Sequence, residues 1–262
     1  ADCRIESLSI IKGTSSPCCK KGDIMPKKYS RQETWSCLET IKEEGKGISS
    51  LYQKNFVNWS GTSMDKNNPE YYSEIISEWL LKNIDILVGN NIRQVSRENY
   101  KVFHPELDEN APKTNREEER IAKELHKEKF YKELGEIFDY QVPLKKTQKD
   151  TGVGKIDLVA FNKGENNVYL LELKRRDNKE TLLRCVLEIY TYWKQLNEVN
   201  FKKSFDFLPE DAKVIPAILI FKDSEQYKQY KSDHPNTRKL MKELGIQTFV
   251  VTPSQYTIVK EN

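Results

Sequence analysis

The sequence of 262 residues lacks several features that would assign it to a class at once. No apolar run approaches the roughly 20 residues of a membrane-spanning helix, and no charged-then-apolar segment typical of a signal peptide opens the chain. Lysine and arginine outnumber aspartate and glutamate by only 43 to 40, so a surface for nucleic acid would have to come from local clustering. We therefore expect a globular, cytoplasmic protein with no membrane contact.

Paired metal-binding cysteines and a phosphate-binding loop are also missing. None of the five cysteines forms a C-x-x-C pair, the spacing typical of zinc sites. We expect reduced thiols, with Cys185 as a small buried side chain and an N-terminal zinc site as the alternative. The segment TGVGK at 151–155 precedes a predicted strand rather than a helix, which excludes a phosphate loop. The N-terminal cysteines are Cys3, Cys18, Cys19 and Cys37.

The chain divides into two regions of different regularity. Residues 1–112 form an N-terminal, mostly helical appendage, with helices predicted over 31–44 and 71–87 by their apolar spacing. The segment 103–115 has two prolines and little apolar content, as a linker would. Residues 113–262 form the second domain.

The second domain is an α/β domain by its pattern. A helix is predicted over 116–134 and another over 180–196, with three strands between them and a fourth after them. This αβββαβ order, with a further helix and strand appended, implies a mixed sheet flanked by helices. The predicted strands are FDYQVPL ending near Leu144, Lys155–Phe161, Val168–Lys174, Val214–Phe221 and Gln247–Val251, and the appended helix is Asn236–Leu244.

Charged residues interrupt two of these otherwise apolar strands. Glu172 and Lys174 are two residues apart and share one face of their strand, and Asp157 on the neighbouring strand can reach the same face. Three interpretations fit: a surface salt bridge, a buried ion pair, or a divalent metal site. Two carboxylates open to water suit Mg²⁺, and the lysine would then stabilise charge that develops on a phosphate.

The order of elements around Asp157 and the Glu172-Leu173-Lys174 triplet resembles the PD-(D/E)xK nuclease superfamily. The resemblance covers about residues 114–222, and Ile156 stands where the proline of the motif would be. It implies a restriction-endonuclease-like core that hydrolyses phosphodiester bonds with Mg²⁺ or Mn²⁺. Asp157 and Glu172 would hold the metal, and Lys174 would position the attacking water and stabilise the pentavalent phosphate.

The resemblance also implies a metal-assisting glutamate on the first helix. Among the three glutamates at 117–119, Glu118 shares the face of Ile121, Ala122 and Leu125, which packs on the sheet. We therefore assign the catalytic role to Glu118, with Glu117 in reserve. The alternative is that all three glutamates simply complement the helix dipole.

The helix after the triplet carries a polar line beside its apolar stripe. Nucleases of the RecB branch have a glutamine and a tyrosine four residues apart there, and Glu188 and Tyr192 have this spacing with glutamate in place of glutamine. An Arg184–Glu188 pair at i,i+4 is the alternative. Basic and aromatic side chains nearby either follow a phosphate backbone or form a solvated face. The residues predicted to bind nucleic acid are Arg175, Arg176, Arg184 and Tyr192.

We thus expect a nuclease whose nucleic-acid substrate is DNA rather than RNA. We expect it to act as a monomer or as a homodimer. The alternative function is a non-catalytic module that binds nucleic acid or protein on the same fold.

Overall fold

The computed structural model describes residues 28–45, 47–104, 117–147, 150, 153–253 and 256–261. Its N-terminal part is a layer of helices, and its C-terminal part is a mixed sheet flanked by helices, which confirms the α/β class. No helix within these ranges combines the length and apolar character that crossing a membrane requires.

The first helix has the predicted bounds. Helix α1 spans Arg31–Glu44 and begins at a capping box, in which Ser30 and Glu33 exchange side-chain to backbone hydrogen bonds at 2.8 and 3.2 Å. Two short 3₁₀ helices follow, Ile48–Gln53 and Asn55–Asn58.

The second predicted helix is divided in two, as α2 (Tyr72–Lys82) and α3 (Asp85–Val88). The backbone of Asn83 leaves the helical region between them, at φ −123° and ψ 37°. The backbone and side-chain amides of Asn83 both donate to the Trp79 carbonyl, at 3.0 and 2.9 Å, and close the last turn of α2. The prediction of one continuous helix was wrong, because the backbone leaves the helical conformation at Asn83.

The C-terminal part contains the predicted helices and strands in their predicted order, together with four further elements. Seven strands lie side by side in chain order: β1 to β4 are antiparallel, β4 to β6 are parallel, and β7 is antiparallel to β6. The strands are β1 (Phe130–Tyr131), β2 (Gly135–Pro143), β3 (Lys155–Asn162), β4 (Asn167–Lys174), β5 (Lys213–Phe221), β6 (Gln247–Thr252) and β7 (Thr257–Glu261). The helices are α4 (Glu117–Glu128), α5 (Leu182–Gln195), α6 (Glu198–Lys203), α7 (Glu225–Lys231) and α8 (Pro235–Glu243).

Several of these elements differ from the prediction. Helix α4 was expected to run to residue 134, but it ends before Lys129, whose backbone is left-handed at φ 61°. Strand β1 follows at once, and the chain then turns at Gly135, where a Cβ would lie 2.2 Å from the Phe161 carbonyl oxygen. The elements β1, β7, α6 and α7 were not predicted.

The pairing of β3 with β4 places the charged residues on one face. Alternate residues of β4, beginning with Val168, face α5 and the N-terminal helices. Val159 pairs with Leu170 in the same core. By the same alternation Asp157 and Glu172 face this side, which is what the sequence predicted.

The N-terminal layer packs on the second domain through a shared core that includes α2, α5 and α8. Polar contacts fix it further. The Glu74 carboxylate accepts from the Asn236 and Thr237 amides at 2.7 and 2.9 Å, which caps the start of α8. Asn58 accepts from the Thr181 amide at the start of α5, at 2.8 Å. The division of the chain at residue 112 stays a prediction.

The cysteine predictions have mixed outcomes. Cys185 is a free, buried thiol, as expected. Cys37 on α1 is disulfide-bonded, so the expectation of a reduced thiol was wrong for this residue. Cys3, Cys18 and Cys19 lie outside the described residues.

Candidate active site

The residues predicted for the site surround one cavity of about 380 Å³, at the end of the β3–β4 hairpin opposite its turn. Asp157 lies on β3, Glu172 and Lys174 end β4, and Glu118 lies in the first turn of α4. Other wall residues come from β2, the β2–β3 connection, β3 and α5, and they include Gln141, Lys145, Gly154, Lys155, Glu188 and Tyr192.

Asp157 is held by one bond to each carboxylate oxygen. The described pairing of β3 with β4 ends at Leu158–Leu171, and beyond it the Leu173 amide donates to Asp157 Oδ2 at 2.9 Å. The Gln141 side-chain amide donates to Oδ1 at 3.0 Å. The aspartate therefore replaces a strand carbonyl, and its orientation is fixed by the backbone of the adjacent strand.

Lys174 is surrounded by carboxylates. Its Nζ lies 2.7 Å from Glu172 Oε1, 2.9 Å from Glu180 Oε2 and 3.2 Å from Glu188 Oε2. The side chains of Lys174 and Glu172 are only 6% and 5% exposed, so this is a buried charge cluster rather than a surface salt bridge. Three acidic partners for one ammonium leave the cluster with a surplus of negative charge.

Glu188 connects the lysine to Tyr192. The Tyr192 hydroxyl donates to Glu188 Oε1 at 2.9 Å, while Glu188 Oε2 faces Lys174. The predicted alternative, an Arg184–Glu188 pair, is not what forms, because Arg184 pairs with Glu180 at 2.9 Å. Glu188 therefore lines the cavity between Lys174 and Tyr192.

The Tyr192 ring is packed between Gly154 and Tyr52. A Cβ built on Gly154 would lie 2.1 Å from the Tyr192 hydroxyl oxygen, so only glycine fits without displacing the ring. On its other side Tyr192 meets Tyr52 of the N-terminal layer, edge to face at 5.7 Å between ring centroids. The two hydroxyls are 3.5 Å apart.

Glu118, the glutamate chosen on α4, is the one that reaches this cavity. It accepts from the Asn178 side-chain amide at 2.9 Å and lines the cavity beside Asp157. Glu117 is exposed and pairs with Arg175 at 2.6 Å.

Burial and mutual repulsion perturb the pKa values of the cluster. Burial raises the pKa of Asp157 to about 7, against the opposing effects of the Lys174 charge and the Leu173 amide. Burial and then the charge of Glu188 raise the pKa of Glu172 well above its ordinary value. Burial acts to lower the pKa of Lys174, but the neighbouring carboxylates, led by Glu172, outweigh it and raise that pKa well above its ordinary value. Lys174 is therefore a cation at neutral pH, while Asp157 and Glu172 favour a bound proton or another cation.

The residues predicted to bind nucleic acid are all engaged within the protein. Arg175 pairs with Glu117 and Asp177, Arg176 pairs with Asp223, and Arg184 pairs with Glu180. Tyr192 is buried and bonded to Glu188, a position suited to holding that carboxylate. Their binding roles stay predictions.

Three other residues of the site were not found from the sequence. Gln141 orients Asp157 from a left-handed backbone at φ 52°, a conformation that costs about 1 kcal/mol or more in a non-glycine residue. Glu180 reaches Lys174 from the loop before α5, and Tyr52 reaches Tyr192 from 140 residues away. No local pattern indicated these contacts.

The donor set at the cavity suits a small divalent cation. Glu172 Oε2 is buried and has no hydrogen-bond partner among the described residues, and Asp157 lines the same space. The described residues contain no group of three or more histidine, cysteine or carboxylate side chains arranged to hold a metal ion. Two carboxylates are nevertheless sufficient for Mg²⁺, which keeps several of its water ligands.

Comparison of the chain with known protein families, curated proteins and solved structures gives no match.

Proposed function

We propose that the protein is a metal-dependent nuclease that hydrolyses phosphodiester bonds of DNA on a restriction-endonuclease-like core. The observation that carries this proposal is the convergence of the Asp157, Glu172 and Lys174 side chains, from adjacent strands, on one cavity. The order α4, β2 to β4, α5, β5 also agrees with the PD-(D/E)xK pattern that the motif resembles. The perturbed, negatively charged cluster supports a catalytic site because pKa shifts of this kind concentrate at functional sites.

Asp157 and Glu172 would hold a Mg²⁺ or Mn²⁺ ion, with Glu118 assisting. When bound, such an ion supplies positive charge to a phosphoryl oxygen and lowers the pKa of a bound water. The chain contributes the preset orientation of the ligands, since the Leu173 amide and Gln141 fix Asp157 before any ion arrives.

Lys174 acts as a hydrogen-bond donor and cation rather than as a base. Its raised pKa keeps it protonated, and its contacts with Glu172, Glu180 and Glu188 prevent it from rotating away. A preset ammonium at the site of reaction stabilises the charge that develops on the phosphate and orients the attacking water. Tyr192 acts through Glu188 and keeps that carboxylate against the lysine.

The test compares wild type with Lys174→Met and with Glu172→Gln, which removes a charge but keeps a polar group beside Lys174. Cutting of plasmid and single-stranded DNA is measured with Mg²⁺ and with Mn²⁺, and DNA binding is measured in Ca²⁺. We expect Lys174→Met to reduce the cleavage rate by about 10²–10³ while binding changes little. We expect Glu172→Gln to lose Mn²⁺ affinity in calorimetry as well as cleavage.

Lys163→Met is the matched control, since Lys163 lies in the β3–β4 turn at the opposite end of the hairpin. Thermal unfolding confirms that each variant is folded. If wild type binds DNA but cuts no substrate with either metal, and Lys174→Met only weakens binding, the protein is a binding module instead.

A further inference from the structure

Most cations near the cavity are already neutralised by carboxylates. Lys174 lies 2.7 Å from Glu172, and Arg175 lies 2.6 Å from Glu117. Arg176 and Arg184 are likewise paired with acidic side chains. Each would have to give up an ion pair before it could bind a phosphate.

Lys145 and Lys155 differ from this group. Both are exposed and both line the cavity that contains Asp157, Glu172 and Lys174. Among the residues that the structure describes, no carboxylate forms an ion pair with either lysine. Their charge is therefore available to a ligand that enters the cavity.

The backbone that carries the two lysines is well fixed. Lys155 pairs with Pro143 in the sheet, and the Leu144 amide donates to the Gly154 carbonyl at 3.2 Å. The Arg97 guanidinium donates to the Lys145 carbonyl. The two side chains are therefore anchored at one rim of the cavity.

The spacing relates these lysines to the proposed reaction. Lys155 is two residues before Asp157 on β3, so the two positions lie about 7 Å apart along the strand, and both side chains line the cavity. This separation is comparable with that between successive phosphates of a nucleic-acid strand. A phosphate beside Asp157 would place its neighbour within reach of Lys155.

We propose that Lys145 and Lys155 bind the phosphates that flank the scissile phosphate of a nucleic-acid strand. This inference rests on the proposed nuclease function and adds the surface that holds its substrate. The floor of the cavity carries surplus negative charge, which repels a polyanion, and two cations at the rim offset this repulsion as the strand approaches. Their contribution is to substrate binding, because among the described residues no ion pair joins either lysine to the carboxylates around Lys174.

The experiment measures binding of the full chain to labelled single-stranded and duplex oligonucleotides in Ca²⁺, over a range of salt concentrations. The double variant Lys145→Gln/Lys155→Gln is compared with wild type and with Lys163→Gln. Lys163 begins the turn after β3, about 26 Å along the strand from Lys155, and is exposed like the other two. In Mg²⁺, kcat and KM are measured separately.

We expect the slope of log K against log salt to become shallower by about 1.4 for a single strand or about 1.8 for a duplex, the value for two lost phosphate contacts. We expect KM to rise about tenfold or more, with kcat nearly unchanged and Lys163→Gln resembling wild type. An unchanged salt slope in the double variant, with wild type still binding and cutting, would overturn this inference alone. A wild-type protein that binds neither oligonucleotide would overturn the proposed function with it.

Discussion

A lysine lies among acidic and polar groups at each end of the β3–β4 hairpin, and the two sites differ in solvent exposure. At the turn, Lys260 of β7 lies 3.2 Å from Glu165, with side chains 24% and 43% exposed. At the cavity, Lys174 lies 2.7 Å from Glu172, with side chains 6% and 5% exposed. A lysine–glutamate ion pair is thus partly exposed to solvent at the turn and buried in the protein interior at the cavity.

The pKa values of Glu165 and Glu172 depart from their ordinary values in opposite directions. A hydrogen bond from Tyr169, with help from Lys260, lowers the pKa of Glu165. Burial and neighbouring charge raise the pKa of Glu172. A charged Glu165 is favoured by its surroundings, whereas a charged Glu172 is opposed by them. The charged forms of Glu172 and Asp157 are therefore destabilising, which is a cost that a structural ion pair does not explain and a functional site does.

The largest expected effect on stability is that of Asp157→Asn in the absence of divalent metal. Burial raises the pKa of Asp157 from 3.8 to about 7, so the folded protein binds a proton more tightly than the unfolded chain does. Wild-type stability should fall as pH rises from about 4 to about 7, and the neutral side chain removes that loss. We expect the variant to be more stable at pH 8 by about 2–4 kcal/mol, and by little at pH 4.

Urea unfolding with a chelator present, at pH 4 and pH 8, measures this difference. Asparagine can still accept from the Leu173 amide, so the hairpin contact is kept. A variant that is no more stable at pH 8 than wild type would show that the carboxylate is not held under electrostatic strain.

A smaller effect is expected from Gly154→Ala. The added methyl would lie 2.1 Å from the Tyr192 hydroxyl, so the ring must shift and lose its bond to Glu188. We expect a loss of about 1–3 kcal/mol in the free energy of unfolding, and a lower kcat from a less constrained Lys174.

The matched control is Gly164→Ala in the turn at the other end of the hairpin, where the new Cβ would meet only Asn162 Oδ1, at 3.4 Å. Denaturant unfolding and cleavage rates are measured for both variants. Equal effects of the two substitutions would contradict a special role for the space beside Tyr192.

The smallest effect is expected from Glu165→Gln at the turn. Its lowered pKa means that the charged glutamate stabilises the fold above its ordinary pKa, and this contribution disappears as pH falls below it. The group is well exposed, so we expect a loss of only about 0–1 kcal/mol at pH 7, reduced further by salt, and no change in cleavage. A loss as large as those expected at the cavity would remove the distinction between the two ends.

The sequence predicted the residues of the site best where regular geometry determines their direction. Strand alternation placed Asp157, Glu172 and Lys174 on one face, and helix spacing selected Glu118 over Glu117. The predicted β3 and β4 began or ended within one residue of the observed bounds, because their apolar runs are bounded by turn residues.

Helix and strand periodicity could not predict the contacts made by irregular segments or by residues far apart in the sequence. The left-handed backbone of Gln141 has no pattern that would reveal it, and Glu180 lies in a loop. The ion pairs of Arg175 and Arg176 depend on where Glu117 and Asp223 come to lie after folding. A basic cluster in the sequence therefore did not indicate which cations are free.

Hydrogen bonds between residues 57–58 of the N-terminal layer and Thr181, at the start of α5, affect the motions of the site. Asn58 and the Val57 carbonyl hold the backbone and hydroxyl of Thr181, the capping residue of the helix that carries Glu188 and Tyr192. Any local opening that lifts residues 57–58 must also release the start of α5. Amide hydrogens at this junction should therefore exchange with solvent together with those around the lysine cluster, as one cooperative unit that spans both regions of the chain.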